Sequence, residues 1–312
     1  MASGKRVNVE NEETASAAVL NGPPAARKRR SANRPKPKIG QHFLSDVGTA
    51  ERIVNALGDV SQTTVVEIGP GAGALTQTLA SRARRLIAIE LDRVLAAQLR
   101  MKYSGTPNVE IIEGDVLAID FATLFAPPPG RSRPGLPVIT TKARVVGNLP
   151  YYITSPILMR LFQFHEQFET LVIMVQREVG DRIVAKPGGS EYGLLSATVQ
   201  LYAKVEKLFI VPPGAFSPPP KVQSAVLRLT IGPQFARLGV PEEEFLDFLK
   251  LAFGQKRKTL VNNLKARYEQ RSLKAALEKS RIKPTVRAEA VSLDKMAELF
   301  KAVANSQLPV PG

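Results

Sequence analysis

The sequence contains no cysteine and no tryptophan, and its only histidines are His42 and His165. Without a thiol the chain cannot form disulfides, thiolate zinc sites, iron–sulfur clusters or a cysteine nucleophile. Two imidazoles are too few for a histidine-rich metal site, and they leave little material for a Ser-His-Asp triad. The sequence therefore predicts chemistry that needs no metal ion.

Long apolar runs are missing as well. No stretch of 18 or more apolar residues occurs, so the sequence predicts no membrane span. The first residues lack the pattern of a secretory peptide, and Glu10, Glu12 and Glu13 argue against a mitochondrial presequence, since such presequences are poor in acidic residues. We expect a cytoplasmic protein.

Positive charge is in excess, because 43 Lys and Arg face 28 Asp and Glu and give a net charge of +15. This excess favours a polyanionic partner, most commonly nucleic acid, although a solubilising surface would have the same composition. Residues 1–37 are basic and lack apolar periodicity, which predicts a disordered tail.

From residue 38 onward, short apolar runs alternate with helical patterns, which predicts an α/β fold around a mainly parallel, Rossmann-like sheet. The predicted strands cover residues 63–68, 85–90, 109–112, 143–147, 170–175, 204–210 and 224–231. Their apolar runs are continuous, as in strands covered on both faces. A Pro- and Gly-rich stretch at residues 127–137 reads as a surface insertion.

After Pro233 the pattern becomes helical. The predicted helices cover residues 242–253, 256–268, 273–280 and 293–303. We therefore expect two domains, an α/β domain over residues 38–232 and a small C-terminal all-α domain over residues 233–312.

Three glycines, Gly69, Gly71 and Gly73, join the first long strand to a helix. Glycines at such a junction allow a tight turn and a close approach of the backbone to a ligand, and nicotinamide enzymes use a similar loop. Glu67 lies two positions before the first glycine, where a carboxylate can help hold an amino group. That position favours a cofactor that carries an amino acid over one that carries a pyrophosphate.

Two more acids follow successive strands. Glu90 ends the next strand, where a carboxylate can accept both hydroxyls of a ribose, and Asp115 follows the third strand, where it can accept from an adenine amino group. Either acid alone could be a solvated loop carboxylate. Three acids at the carboxyl ends of successive strands favour a cofactor site.

Residues 147–152 follow the fourth strand and look like the Asn-Leu-Pro-Tyr motif of amino methyltransferases. The N6 amine of adenine is a weak nucleophile because its lone pair is delocalised into the ring. The Asn148 side-chain carbonyl and the Leu149 backbone carbonyl, held rigid by Pro150, can accept both N6 hydrogens. Tyr151 can stack on a base that has left its helix. The alternative interpretation is an Asn-Pro turn with buried aromatic residues.

The chain from about residue 38 to residue 305 resembles the ribosomal small-subunit adenine dimethyltransferase family of the KsgA type. The stretches that carry the resemblance are Gly40-Gln41-His42-Phe43-Leu44, Glu67-Ile68-Gly69-Pro70-Gly71, Ile89-Glu90-Leu91-Asp92, Gly147-Asn148-Leu149-Pro150-Tyr151, Gln176-Arg177-Glu178-Val179 and the Pro-rich segment 211–222. The resemblance implies a Rossmann-like S-adenosylmethionine methyltransferase with a small C-terminal all-α domain.

The resemblance also implies roles for individual residues. Cofactor contacts are expected at His42, Leu44, Gly69, Glu90, Asp115 and Asn148. Contacts to the target base are expected from Asn148 through Tyr151 and from Phe216, which would be a second aromatic wall unless it is simply a core residue. His42 stands where the family more often has Asn. Lys256, Arg257 and Lys258, at the start of a predicted helix, are expected to bind RNA phosphates, although such a run is often only a solvated face.

The function that the resemblance implies is dimethylation of two adjacent adenines near the 3′ end of 16S rRNA in the 30S subunit. We expect the protein to act as a monomer. A macrolide-resistance methyltransferase acting on 23S rRNA is an alternative, which the segments at residues 176–179 and 212–216 disfavour. DNA adenine methylation fits less well, because those enzymes usually carry an acid where Asn148 stands. A noncatalytic RNA-binding or ribosome-assembly factor on the same fold is a further alternative. A nicotinamide oxidoreductase is disfavoured, because the sequence offers no suitable substrate-side acid or base near the glycine loop.

Overall fold

The structure, a computed structural model, describes residues 42–125 and 142–305. The predicted tail over residues 1–37 and the predicted insertion at residues 127–137 lie outside these ranges. All described residues belong to one compact unit. In this part of the chain, every helix is too short or too polar to cross a membrane.

Nine strands are present in the described residues. In chain order they are β1 (Phe43–Leu44), β2 (Thr64–Ile68), β3 (Arg85–Glu90), β4 (Val109–Glu113), β5 (Ala143–Asn148), β6 (Phe168–Gln176), β7 (Ala203–Val211), β8 (Phe216–Ser217) and β9 (Ser224–Ile231). Seven of them form one sheet in the order β4-β3-β2-β5-β6-β9-β7, and β1 pairs with β8 in a separate two-stranded sheet. The predicted α/β fold and all seven predicted long strands are confirmed.

The large sheet is parallel from β4 to β6, but β9 is antiparallel to both of its neighbours, β6 and β7. The parallel strands therefore end at one edge of the sheet, here called the carboxyl edge, and β9 begins at that same edge. In open α/β sheets this edge is where ligands bind.

The central strands are buried on both faces, as their continuous apolar runs predict. Every residue of β2 is buried, and in β3 only Arg85 is partly exposed. In β4, at the edge of the sheet, every position is exposed or partly exposed.

Helices cover both faces of the sheet and make up the end of the described chain. They are α1 (Val47–Asn55), α2 (Ala74–Arg82), α3 (Arg93–Lys102), α4 (Phe121–Leu124), α5 (Thr154–Gln163), α6 (Arg177–Val184), α7 (Leu194–Tyr202), α8 (Phe235–Leu238), α9 (Glu242–Ala252), α10 (Leu260–Leu264), α11 (Gln270–Lys279) and α12 (Leu293–Asn305). Several begin at a capping side chain: Asp46 accepts from the amide of Thr49 at α1, and Asp92 accepts from the amides of Val94 and Leu95 at α3.

The predicted helix over residues 256–268 is wrong at both ends, since α10 spans only Leu260–Leu264. The Thr259 hydroxyl caps α10 by accepting from the amide of Asn262 at 3.3 Å. The side-chain Nδ2 of the buried Asn263 donates to the carbonyls of Ala252 at 2.7 Å and Gln255 at 3.2 Å. These side-chain bonds hold the residues before Thr259 in a turn, because they compete with helical hydrogen bonding there.

One continuous hydrophobic cluster contains side chains from β6, β9 and the C-terminal helices, including Leu171, Leu227, Phe245, Phe248 and Val303. Strands end at Ile231 in the described chain, and only helices follow. The change from strands to helices therefore falls where the sequence predicts a domain boundary, and the division into two domains stays a prediction.

Candidate active site

The candidate site lies at the carboxyl edge of the large sheet. The loop after β2, the ends of β3 and β5, and the first residue of β9 all reach this edge, because β9 runs against the other strands. Segments that are far apart in the sequence are thereby brought together.

The loop after β2 contains three glycines, which leave its backbone uncovered at those positions. Gly69, Gly71 and Gly73 have φ angles of +65°, +56° and +85°, which L-amino acids with a side chain rarely adopt. A Cβ at Gly71 would lie 2.9 Å from the Cδ1 atom of Phe43, and one at Gly69 would face the backbone carbonyl of Asn148 at 3.8 Å. A ligand can approach this loop closely only because side chains are absent there.

Glu90 is bound to the glycine loop. Its side chain is buried, and its Oε2 accepts from the amide of Gly71 at 2.9 Å while its Oε1 accepts from the amide of Asp92 at 2.8 Å. A carboxylate offers about four acceptor positions, so each oxygen retains one for a ligand. These two hydrogen bonds from backbone amides fix the orientation of the Glu90 carboxylate, as an acceptor of two ribose hydroxyls requires.

Asp115 lies on the surface just beyond β4. Its Oδ1 accepts from the amide of Leu117 at 2.9 Å, and the preceding Gly114 amide donates to the carbonyl of Glu90 at 2.9 Å. The structure thus connects Asp115 to the end of β3, as the predicted adenine contact requires.

Glu67 lies inside the protein, with only 1% of its surface exposed. Burial raises the pKa of Glu67 from 4.5 to about 7, and nearby groups of Thr76 partly offset this shift. Its Oε2 has no hydrogen-bond partner among the described residues. This oxygen is enclosed by the protein, and the predicted contact of Glu67 with an amino group stays a prediction.

A glycine allows the end of β5 to lie close against β2. A Cβ at Gly147 would lie 2.6 Å from the backbone oxygen of Ile68, so only glycine fits there. Asn148 follows, and its Nδ2 donates to the backbone carbonyl of His42 at 3.2 Å. The Leu149 amide donates to the carbonyl of Met174 at 3.0 Å. Asn148 Oδ1 accepts no hydrogen bond from the residues that the structure describes, so it can accept one from a substrate.

Tyr151 begins a short 3₁₀ helix and is partly buried. Its hydroxyl lies 2.9 Å from the Oγ atom of Ser224 at the start of β9. The His42 ring lies 6.3 Å from the Tyr151 ring, centroid to centroid, at an interplanar angle of 28°. The neighbouring Tyr152 is 82% exposed, so of the two tyrosines only Tyr151 faces the other site residues.

His42 contacts three parts of the site. Besides its contacts with Asn148 and Tyr151, its Nδ1 lies 2.8 Å from the carbonyl oxygen of Pro218. A carbonyl oxygen only accepts, so Nδ1 carries the hydrogen and Nε2 of the neutral ring is an acceptor. The predicted cofactor contact of His42 would therefore use Nε2 or the backbone.

Leu44 and Phe216 face each other across the small β1–β8 sheet and are 7% and 4% exposed. Both belong to a hydrophobic cluster with Met174 and Val226. The structure brings both residues to the site region but buries their side chains. Their roles as cofactor contact and base wall stay predictions.

Lys256, Arg257 and Lys258 are exposed in the turn before α10, not at the helix start that the sequence predicts. Lys256 Nζ lies 3.5 Å from the carbonyl oxygen of Ser190, which precedes α7. None of the three cations has a carboxylate within ion-pair distance in the described ranges. They are thus available to an external anion.

Sequence reasoning missed two residues of this region, Phe43 and Ser224. The sequence marks Phe43 only as part of the segment 40–44, and the structure places its ring beside Gly71. Ser224 is the first residue of an apolar strand, and nothing in its local sequence marks it. Only the antiparallel pairing of β9 shows that its hydroxyl reaches Tyr151.

A family model described as ribosomal RNA adenine dimethylase matches residues 32–305. A relative named ribosomal RNA small subunit methyltransferase A, from Koribacter versatilis, is 56% identical over 89% of this chain and 98% of its own length. The protein of the same name from Acidobacterium capsulatum is 48% identical over 90% of this chain and 96% of its own length.

Two solved structures share the fold over most of the chain. A dimethyladenosine transferase from Plasmodium falciparum superposes with a TM-score of 0.64 at 25% identity, covering 83% of this chain and 96% of the other. The 23S rRNA methyltransferase ErmE superposes with a TM-score of 0.60 at 28% identity, covering 84% and 99%. With the family model spanning both the candidate site and the C-terminal helices, the chain belongs to the ribosomal RNA adenine dimethylase family.

Proposed function

We propose that this protein transfers methyl groups from S-adenosylmethionine to the N6 atoms of two adjacent adenines near the 3′ end of 16S rRNA, in the 30S subunit or its precursor. The observation that carries the proposal is the orientation of Asn148. Its Nδ2 donates to the His42 carbonyl, so its Oδ1 remains as an acceptor, and the residue that follows, Leu149, supplies a backbone carbonyl. Two such acceptors match the two hydrogens of an adenine N6 amine.

The residues present fit S-adenosylmethionine. The bare loop at Gly69 and Gly71, the oriented carboxylate of Glu90 and the unsatisfied Glu67 Oε2 suit the backbone approach, the ribose and the ammonium group of such a molecule. Asp115 is proposed to accept from its adenine amino group, and His42, Leu44 and Asn148 to complete the contacts. When bound, this cofactor supplies an electrophilic methyl group on a positively charged sulfur.

The residues of the chain prepare the nucleophile. Hydrogen bonds from N6 to Asn148 Oδ1 and to the Leu149 carbonyl localise the amine lone pair, which raises its reactivity. Pro150 restricts the backbone of this acceptor pair, and Tyr151 stacks on the extruded base, with Phe216 as a second wall. A strong general base is not required, because the methylated amine can lose its proton to solvent.

The small-subunit substrate is favoured by the sequence relatives. Proteins that are 56% and 48% identical over nearly their whole length carry the small-subunit name, whereas the large-subunit enzyme ErmE is 28% identical. A noncatalytic assembly factor is disfavoured because Glu90, Asp115 and the segment from Asn148 to Tyr151 are all in place. A contribution to small-subunit maturation is compatible with catalysis.

We further propose that the helical part after residue 233 is an RNA-binding domain. Lys256, Arg257 and Lys258 are exposed cations that can contact phosphates without specifying sequence. We also propose that the protein acts as a monomer. We propose a cytoplasmic location, because the relatives are named for ribosomal RNA and come from bacteria, in which ribosomes lie in the cytoplasm.

The test is transfer of labelled methyl groups to unmethylated 30S subunits, with 50S subunits and naked DNA assayed in parallel and the products resolved as nucleosides. Dimethyladenosine confined to 30S RNA is the expected result. Label in 50S RNA would assign the chain to the resistance-type activity. Cofactor binding without any transfer would favour the assembly-factor role.

A further inference from the structure

We propose that Ser224 is a positioning residue for the target base, because its hydroxyl binds the Tyr151 hydroxyl and thereby fixes the direction of the long axis of the tyrosine ring. The inference rests on the proposed function, in which the Tyr151 ring stacks on the extruded adenine. Ser224 would act through Tyr151 and would not itself touch the base.

The sheet topology explains how Ser224 reaches the site. It is the first residue of β9 and pairs with Gln176 at the end of β6 and with Val211 at the end of β7. Because β9 is antiparallel to both, its first residue lies at the carboxyl edge, beside the segment that follows β5. A parallel strand in the same place would put its last residue there.

The two hydroxyl groups differ in how firmly they are held. Ser224 is completely buried, and its backbone is paired on both sides within the sheet. Tyr151 is only partly buried and belongs to a 3₁₀ helix of three residues. Functional side chains are placed more accurately when a rigid element supports them. The contact between the oxygens, at 2.9 Å, therefore anchors the partly buried tyrosine side chain to a serine within the sheet.

Anchoring at the hydroxyl restricts the tyrosine strongly. With the backbone fixed at one end and the hydroxyl at the other, the remaining freedom of the ring is rotation about its own long axis. The His42 ring, tilted 28° from the Tyr151 ring and held through Nδ1 by the Pro218 carbonyl, restricts that rotation. Burial also raises the pKa of Tyr151 above its ordinary value, so the phenol stays protonated and able to bind the serine.

The test is a double-mutant cycle with Ser224→Ala, Tyr151→Phe and the double variant, measuring kcat and KM on unmethylated 30S subunits. Loss of one hydrogen bond predicts that each single variant lowers kcat about three- to tenfold. The double variant should fall no further than Tyr151→Phe alone, because both changes remove the same contact. The affinity for S-adenosylmethionine should be unchanged in all three.

The matched control is Ser280→Ala, since Ser280 is also buried but its hydroxyl has no partner among the described residues. We expect it to leave kcat unchanged. If Ser224→Ala lowered kcat as much in the Tyr151→Phe background as in the native chain, Ser224 would not act through Tyr151, and the proposal would be wrong. A Ser224→Ala protein with lowered thermal stability but native kcat would overturn it equally.

A second measurement separates this proposal from the proposed function. In the free protein, NMR of ¹³C-labelled tyrosine identifies the Tyr151 signal as the one that Tyr151→Phe removes. Ser224→Ala should shift that signal and leave the other five tyrosines in place, whatever the RNA substrate is. An unshifted signal would show that Ser224 does not hold the Tyr151 side chain. A shifted signal, together with no methyl transfer to 30S RNA by the native chain, would contradict only the proposed function.

Discussion

The side-chain amide of Asn148 donates a hydrogen bond to the backbone carbonyl of His42, across 3.2 Å and 106 residues of sequence. His42 begins the described chain, and Asn148 ends β5 in the middle of the sheet. The bond leaves the amide oxygen as the group presented to a substrate. The chain before α1 therefore occupies a donor of the Asn148 amide and leaves its acceptor, Oδ1, for another group.

Replacing Asn148 should abolish most of the activity. We expect Asn148→Ala to lower kcat on 30S subunits by about 10²- to 10³-fold, the loss typical of one oriented transition-state hydrogen bond. Binding of S-adenosylmethionine, measured by calorimetry, should weaken much less, because Glu90 and the glycine loop remain. Undiminished methyl transfer by a variant that still binds the cofactor would refute the role given to Asn148.

The buried Glu67 should make stability depend on pH. Its pKa is raised to about 7, so the folded state holds the proton more tightly than the unfolded state does. Stability from this group is fully present below pH 4.5 and is lost as the pH rises from 4.5 to about 7.

Glu67→Gln cannot ionise and should escape this loss. The free energy of unfolding of the variant should exceed that of the native protein by a margin that grows with pH and reaches at most about 3 kcal/mol. Denaturation by urea at pH 4, 6 and 8 without cofactor measures the margin. Near pH 4 both side chains are neutral, which provides the control. A margin that is constant across the three pH values would contradict the raised pKa.

Adding a side chain at Gly147 should lower the stability of the protein. Its Cβ would lie 2.6 Å from the Ile68 carbonyl oxygen, a backbone atom that cannot rotate away. We expect Gly147→Ala to lower the free energy of unfolding by about 1–3 kcal/mol, as overpacking typically does. Gly105→Ala is the control, since nothing lies within 4 Å of a Cβ there. Equal stability of the two variants would mean that β2 and β5 can separate at little cost.

The cations before α10 should contribute through charge. Each of Lys256→Ala, Arg257→Ala and Lys258→Ala should weaken binding to 30S subunits and reduce the slope of log affinity against log salt by about 1. Methyl transfer at saturating 30S concentration should be unaffected. The control is Lys250→Ala, which removes the same charge from α9 but from a lysine paired with Asp247. If a variant with all three substitutions kept the native slope of log affinity against log salt, these residues would belong to the solvated surface.

Much of this structure follows from the sequence alone. Continuous apolar runs predict the strands, because a strand buried on both faces is mostly apolar, as residues 171–175 of β6 show. The glycine loop is recognisable because glycine readily adopts the positive φ angles observed there, and Glu90 is recognisable from its position at the end of a strand.

Other features depend on contacts that no local pattern encodes. The length of α10 is decided by Thr259 and by the buried Asn263, whose amide competes for the carbonyls of the preceding turn. The small β1–β8 sheet pairs two dipeptides, and two residues carry no periodicity. Ser224 reaches Tyr151 only through the direction of β9.

The direction and position of β9 also bear on how the protein is made. Among the strands that the structure describes it is the last to be synthesised, yet it lies between β6 and β7 in the sheet. Until it is synthesised, both neighbours present unpaired edges, which are the kind of surface that promotes aggregation. Addition of β9 therefore closes the gap between β6 and β7 and brings Ser224 to Tyr151 in the same step.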